Sequence, residues 1–594
     1  MYLRTVKAKG AEGVEFEYIR LVEAYWESGR SKQRIIANLG RKDLLAPHLE
    51  SLIELLSGGK KTKSSSVCAE AIEATQAACW GPMLVARSLW RELGLESIVD
   101  ALEPKTKNVQ KAARVPFADR VLVLVANRLC RPGSEHALAQ WLESDFVCGR
   151  DGKRILAPWK QQGRVRVELS WLQEWYRTLD QLLARKDHIE VELFGRLRDL
   201  FHLEVEMVFY DLTSTYFEGR GPVGLAGFGH SRDGKPRNRQ LQVGLVMING
   251  WPIAHHVFDG SLRDCATVEA VLKDLQKRFG LRRVIFVGDR GMVTIQNLAL
   301  LRERGQGYLV GLKRRRNEQV NGYIQAATQG RWQECPVGIS AREKDEVPRT
   351  MVTEVAGQEP GVRVFVVQSE ERLAYERRMR EAAMEKTRQA LEKLAARVAA
   401  GRLKQAQKIG AAAARILGRN HGSRYYGWSF EQGVFRYFEH PEHLAPEKAL
   451  EGKYVIQTEE SDLSAVQAVE VYKDLSEVER SFRELKDLIE MRPIYHRRPK
   501  RVRAHIFVAA LAFLLARTLE KKLKAAGVPM SSAQALEALR TMHVVDIRVG
   551  AEIRRGVTAG NHQARQILAA LGISDREPIQ TDQIVGENAR LVTK

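Results

Sequence analysis

Three carboxylates, Asp211, Asp289 and Glu479, stand in settings that suit them for chemistry. Asp211 lies on the apolar run Val205-Glu206-Met207-Val208-Phe209-Tyr210-Asp211, which reads as a buried strand leading into Leu212-Thr213-Ser214-Thr215. Asp289 closes a second such run, Val284-Ile285-Phe286-Val287-Gly288-Asp289, just ahead of a helical stretch. Glu479 falls inside Val471 to Leu488, which has helical period and no Gly or Pro. Two strand-end aspartates and one helix-borne glutamate can converge on one point. Mg²⁺ takes oxygen ligands and keeps several waters, so two or three carboxylates on rigid elements hold it without His or Cys. Two such ions about 3.5–4 Å apart activate water or a 3′-hydroxyl and stabilise the leaving oxygen of a phosphodiester.

The helix around Glu479 adds to this. At about 100° per residue, positions seven apart differ by only about 20°, so Tyr472, Glu479 and Lys486 form one stripe. An aromatic, a carboxylate and a cation in line suit a DNA end lying along the helix. Placing Glu477 or Glu484 in the central position leaves no Lys seven residues later. A single strand-end Asp is more often a turn or cap residue, which is the reading for Asp233, Asp259 and Asp264. Only the combination of three rises above that background.

The elements that must position these groups follow from the pattern. Residues 1–60 read as a small β-rich unit, with Lys60 to Ser66 a polar linker, and residues 70–200 as a mainly helical region. From Val205 the period becomes strand-like. Gln242 to Ile248, the turn Asn249-Gly250 and Pro252 to Asp259 form a hairpin, followed by helix, strand, helix and strand up to Leu312. This is α/β, a mixed sheet with covering helices. Residues 313–452 interrupt it with strands and a helical pair from Glu370 to about Leu417, broken at Gly401. Residues 453–530 return to the core with the Glu479 helix, and 531–594 read as a C-terminal tail, with weak structure from Asp546 onwards.

Lys and Arg number 94 against 73 Asp and Glu, a net charge of +21 that favours a polyanionic partner, with nucleic acid the first candidate. The length of 594 residues suggests roughly four units at ~150 residues each. Six scattered cysteines without C-x2-C spacing fit a reduced, cytoplasmic compartment. No apolar stretch backs Met1 to Gly10, so no signal peptide is expected. Ile506 to Ala516 is short of the ~20 residues of a spanning helix and reads as a buried core helix, with no membrane partner expected.

The residues around the three acids resemble those of the bacterial insertion-sequence DDE transposases, in the branch with a Tyr-x2-Arg-x3-Glu-x6-Lys signature, insertion-sequence family four and its relatives. Tyr472, Glu479 and Lys486 stand at the signature spacing, while Leu475 occupies the Arg position, leaving Arg480 or Arg483 to stand in. Tyr210-Asp211-Leu212-Thr213, Gly288-Asp289-Arg290-Gly291-Met292 and Arg492-Pro493-Ile494-Tyr495-His496 extend the likeness over most of residues 200–520.

The resemblance implies an RNase H-like catalytic core interrupted by an insertion that is more helical here than is usual. It implies Asp211, Asp289 and Glu479 as catalytic ligands of two Mg²⁺ ions, with Mn²⁺ able to substitute. Tyr472, Arg480, Arg483 and Lys486 are the implied DNA-binding residues, and the helical region 70–200 the reader of transposon ends. Expected partners are double-stranded DNA, as terminal inverted repeats and target, and further copies of the chain assembled on DNA ends. The expected setting is the bacterial cytoplasm, in association with the nucleoid. Two alternatives stay open, an RNase H-like nuclease that cuts without joining and a silent DNA-binding relic. A glycosidase using two carboxylates fits the +21 charge poorly.

Lys313-Arg314-Arg315-Arg316 and Arg497-Arg498-Pro499-Lys500-Arg501 are candidate phosphate holders or ordinary solvated loops. Trp332 and Trp428 read as packed rather than base-stacking, and His255 and His256 as structural.

Overall fold

The computed structural model describes residues 2–9, 15–27, 30–42, 72–104, 115–155, 169–201, 207–289, 291–292, 294–314, 317–336, 348–549 and 552–574. An antiparallel sheet comes first, β1 (Tyr2–Lys9), β2 (Glu15–Glu27) and β3 (Arg30–Arg41) in that order. β4 (Ile72–Cys79) is a strand at the start of the region read as mainly helical, and after it the chain turns helical. The helices are α1 (Gly81–Glu92), α2 (Leu95–Asp100), α3 (Phe117–Cys130), α4 (Leu138–Ser144), α5 (Leu169–Leu183) and α6 (Lys186–Phe201).

The core then begins with β5 (Met207–Tyr216), β6 (Gln240–Ile248), β7 (Trp251–Asp259), α7 (Val268–Phe279), β8 (Ile285–Gly288), α8 (Ile295–Glu303) and β9 (Gly307–Gly311). The turn between β6 and β7 is Asn249-Gly250 with φ of 49° and 73°, the doubly left-handed geometry that lets a two-residue loop follow the strand twist. Next come α9 (Glu318–Ala326), β10 (Gln333–Cys335), β11 (Thr350–Ala356), β12 (Arg363–Ser369), α10 (Glu370–Ala399), α11 (Ala406–Gly418), β13 (Tyr426–Glu431), β14 (Val434–Glu439) and α12 (Pro441–Leu450). The chain returns through β15 (Lys453–Thr458), α13 (Ala465–Asp487) and α14 (Pro499–Ala525).

Nine strands form one mixed sheet in the order β10-β11-β12-β15-β9-β8-β5-β6-β7. β5, β8 and β9 run parallel, and their remaining neighbours pair antiparallel. β5 sits inside the sheet and is buried along nearly its whole length, which is why its sequence is a near-continuous apolar run. Alternate residues face opposite layers. Val208, Tyr210 and Leu212 join the core under α7 and α8, while Phe209 joins the larger core formed with α13, α14 and the N-terminal helices.

The apolar run from Ile506 lies in α14, long and apolar enough to cross a bilayer, yet 89% of its most apolar window is buried inside the protein. It packs against α3, α5 and β7. The helical pair of the insertion is present, with its break at Ala400 to Gln405.

The C-terminal reading needs correction. Residues beyond 531 carry α15 (Ser532–Leu539), β16 (His543–Val549), β17 (Glu552–Val557) and α16 (His562–Leu571) rather than a weak tail. β16 lies between β17 and β4, so a strand from residue 72 pairs with one ending at residue 549. The pattern around His543 is short and charged, and its partner stands hundreds of residues away, so local periodicity hid it. Residues 575–594 lie outside the described residues.

Phe513 on α14 is fully buried. Phe513→Ala is expected to destabilise the fold by about 3–5 kcal/mol, read as a lower midpoint in chemical denaturation.

Candidate active site

The register of the central strands brings the two aspartates together. β5 and β8 pair in parallel, with Phe209 opposite Val287 and Tyr210 opposite Gly288. One residue further, Asp211 continues β5 and Asp289 follows directly on the end of β8, so the two carboxylates come from adjoining points of neighbouring strands. Phe209 faces the larger core, so by alternation Asp211 on β5 points to the side covered by α13, and Asp289 and Glu479 are close enough to act on its charge.

On α13, Leu475, Val478, Phe482 and Leu485 form the buried stripe that docks the helix on the sheet, and Glu479 stands at its exposed margin. Ser464 begins the helix with a capping box, its side chain accepting from the Gln467 N–H while the Gln467 side chain accepts from the Ser464 N–H.

Asp211 is the electrostatic focus. It is only 8% exposed and its Oδ1 accepts a 2.7 Å hydrogen bond from the Leu212 N–H. Burial pushes its carboxyl up to about 7, against the opposing pull of the Arg232 guanidinium and the Leu212 N–H. The negative charges of Asp289 and Glu479 push it further up. The three acids, 78 and 190 residues apart along the chain, therefore act in one field. An all-oxygen, mutually repelling donor set fits a hard divalent cation, which would relieve that repulsion.

The expected stripe is also occupied. Tyr472 stacks on Tyr454 of β15, with ring centroids 5.8 Å apart. Lys486 Nζ sits 2.8 Å from Asp233 Oδ1, an oxygen that Arg492 also contacts. Burial lowers the Lys486 ammonium, against the pull of Asp233. Asp233 sits in a turn, as its sequence setting suggested, and its side chain is in addition a buried counter-ion. Asp264 likewise pairs with Arg232 at 3.0 Å.

Both Arg232 and Asp233 belong to the stretch between β5 and β6, residues 217–239, which is rich in Gly and Arg. That length in a hairpin connection was the signal available in the sequence, since such loops are usually two to five residues.

The candidate arginines divide. Arg480 binds Glu484 at 2.9 Å and Glu520 at 2.8 Å, with Glu477 at 3.6 Å, so it is consumed at the crossing of α13 and α14. It lines a cavity of about 610 Å³ with Met207, Met247, Asp474 and Arg517. Arg483 is exposed and, four residues on, lies within about 40° of Glu479. Leu475 is 5% exposed in the core, so the position where the signature has Arg offers no contact to DNA.

Of the basic runs, Arg314 is tied to Glu376 and to the Leu450 and Lys453 carbonyls, while Arg315 and Arg316 lie outside the described residues. Arg501 lies over the Tyr176 ring at 4.5 Å, whereas Arg497, Arg498 and Lys500 are exposed. Trp428 stacks on Phe435 and Trp332 packs against the core of α9, both structural as read. His255 bonds Glu190 at 2.9 Å and His256 faces Asp274, again structural.

A second group, Glu135, His496 and His505, has ligand atoms within 4.8 Å of one another. Its chemistry argues against an ion. His505 Nδ1 faces the Arg128 guanidinium at 3.4 Å and its Nε2 faces the Met491 carbonyl at 3.1 Å, so both ring nitrogens are engaged beside a fixed cation. Glu135 is held down to about 2, chiefly by its bond to His496 working against burial. The cluster anchors the chain after α13 to the helical region.

A mixed α/β sheet with acids gathered at its centre, on a chain of net charge +21, is the layout of an enzyme that acts on a polyanion. The model of the transposase DDE domain matches residues 208–515, more than half of the chain, and that of the IS1634 family transposase N-terminal domain matches residues 3–66. The chain belongs to the DDE transposases of insertion sequences. No curated protein matches it. Domains of this family typically use a divalent metal, and transposases bind DNA.

Because the folded carboxyl of Asp211 is raised above its ordinary value of 3.8, the native state holds a proton that the unfolded chain releases first. Its stabilising contribution is present at low pH and is lost as pH rises from about 4 to about 7. Asp211→Asn is expected to flatten this dependence and to raise metal-free stability above pH 7, measured as denaturation midpoints across that range.

Proposed function

We propose that this transposase excises and inserts its element by cut-and-paste phosphoryl transfer, with Asp211, Asp289 and Glu479 as the metal-holding acids. The observation that carries the reading is the shared field of the three carboxylates around Asp211, assembled from two adjacent strands and one helix. The sheet supports an RNase H-like core. Strands β7-β6-β5-β8-β9 are consecutive in it, the first three joined antiparallel and the last three parallel. The segment from α9 to α12 interrupts that core, and β15 rejoins it beside β9.

Two divalent ions, Mg²⁺ or Mn²⁺, bound between these acids would activate the attacking oxygen and stabilise the leaving one. The protein's own part is positional. Asp211 is fixed within β5 by the Leu212 N–H, and Glu479 is set by the docked face of α13. Arg232 offsets part of the negative charge beside Asp211. Tyr472 and Lys486 mark the two ends of the line along which a DNA strand would lie, and Arg483 is the arginine on that side. The helical region 70–200 reads the terminal inverted repeats, and copies of the chain assemble on paired ends.

The test is divalent-ion-dependent cleavage and strand transfer of DNA carrying the element's ends, wild type beside Asp289→Ala. Joined products that vanish in the variant are expected. Cleavage without joining would make the protein a nuclease, and binding without either a silent relic. Separately, Arg483→Ala should weaken DNA binding across sequences and lower the salt slope by about 1, while Arg480→Ala should lower stability and leave that slope unchanged.

A further inference from the structure

The helical pair inside the insertion has a divided charge. From Glu370 to Glu392 the root of α10 carries six Lys or Arg and six Glu. Many of these are paired, Arg372 with Glu376, Arg380 with Glu451, and Arg388 with Glu385 and Glu392. From Lys393 to Arg424 there are eight Lys or Arg and no Asp or Glu. Seven of the eight, Lys393, Arg397, Arg402, Lys404, Lys408, Arg415 and Arg419, are exposed. No acidic side chain among the described residues pairs with any of the seven.

The outer half is rigid despite this charge. Leu391, Leu394 and Val398 of α10 pack against Ile409, Ala413 and Leu417 of α11, and Tyr425, Tyr426 and Phe435 close the small core beneath them. The apolar faces are used up inside the pair, so the cations are left on the outside. Lys393 and Arg397 are four apart on α10, and Lys408 and Arg415 seven apart on α11, so each pair shares a face. Arg402 and Lys404 fill the turn between the helices. An ordinary solvated surface mixes both signs. Self-repulsion of this kind is relieved by a polyanion.

We propose that the outer half of this helical pair is an arm that grips double-stranded DNA by its phosphates, away from the reacting bond. The proposal rests on the transposase reading above, which supplies the polyanion. α10 leaves the catalytic sheet directly from β12, and its 30 residues span about 45 Å. That is the length of roughly 13 base pairs of duplex at ~3.4 Å per step, enough for the arm to hold DNA beyond the catalytic sheet. No large hydrophobic side chain is exposed among the described residues of the outer half, which leaves nothing to stack on a base. The grip is therefore on the backbone and independent of sequence.

The experiment uses the full chain carrying Arg397→Gln, Arg402→Gln, Lys404→Gln and Lys408→Gln together, with duplex binding followed by fluorescence anisotropy over a range of salt. The expected result is binding weaker by ~10-fold or more near 0.1 M salt, with a salt slope shallower by about 3–4. Because the four side chains are exposed, the melting temperature should stay within error of wild type. The charge-keeping variant Arg397→Lys with Arg402→Lys should bind as wild type does.

Wild-type binding with an unchanged slope in the four-site variant would overturn the arm and leave the transposase reading standing. A wild type that binds no duplex at low salt would sink both. Loss of binding to phosphatidylserine vesicles with unaltered DNA binding would assign the arm to a membrane surface and reject the proposal.

Discussion

Holding three negative charges together is the constraint on which this structure turns. Asp211, Asp289 and Glu479 repel one another, and Asp211 does so while nearly cut off from water. Nothing local would keep them close. Two adjacent parallel strands fix the aspartates in register, and a helix docked by four apolar residues brings in the glutamate. The buried strands, the apolar helix α14 beneath them and the capped start of α13 supply the rigidity that the repulsion demands.

Around that centre the charges are arranged in pairs with unequal accessibility. Lys486 and Arg492 converge on the buried Asp233, Arg232 spans Asp264 and the neighbourhood of Asp211, and Arg480 is absorbed by glutamates at a helix crossing. The strong positive balance of the chain is therefore not spread evenly. Cations near the acids are mostly committed to protein partners, whereas those on the outer insertion face solvent.

Much of this was legible in the sequence because the signals were local. Continuous apolar runs announced β5 and β8, Asn249-Gly250 announced the hairpin, and the absence of Gly and Pro announced α13. The three acids were readable because each sat at a recognisable place in such an element. What escaped were long-range relations. The pairing of Asp233 with Lys486 joins positions 253 residues apart, and the use of Arg480 by Glu520 depends on how two helices cross. The strand pairing at the C-terminal end was invisible for the same reason, as was the two-sided engagement of His505.

The pairing of β4 with β16 bears on how the molecule is made. A ribosome delivers about 5–20 residues per second, so Glu479 follows Asp289 by roughly 10–40 seconds, and β16 emerges later still. Throughout that interval β4 lacks its antiparallel partner β16, and the helices after it wait on α14 for their apolar faces. The nascent chain thus carries its two strand aspartates without the third acid and without a closed core. The convergence of the three carboxylates therefore waits until α13 has been made, a delay written into the order of the elements.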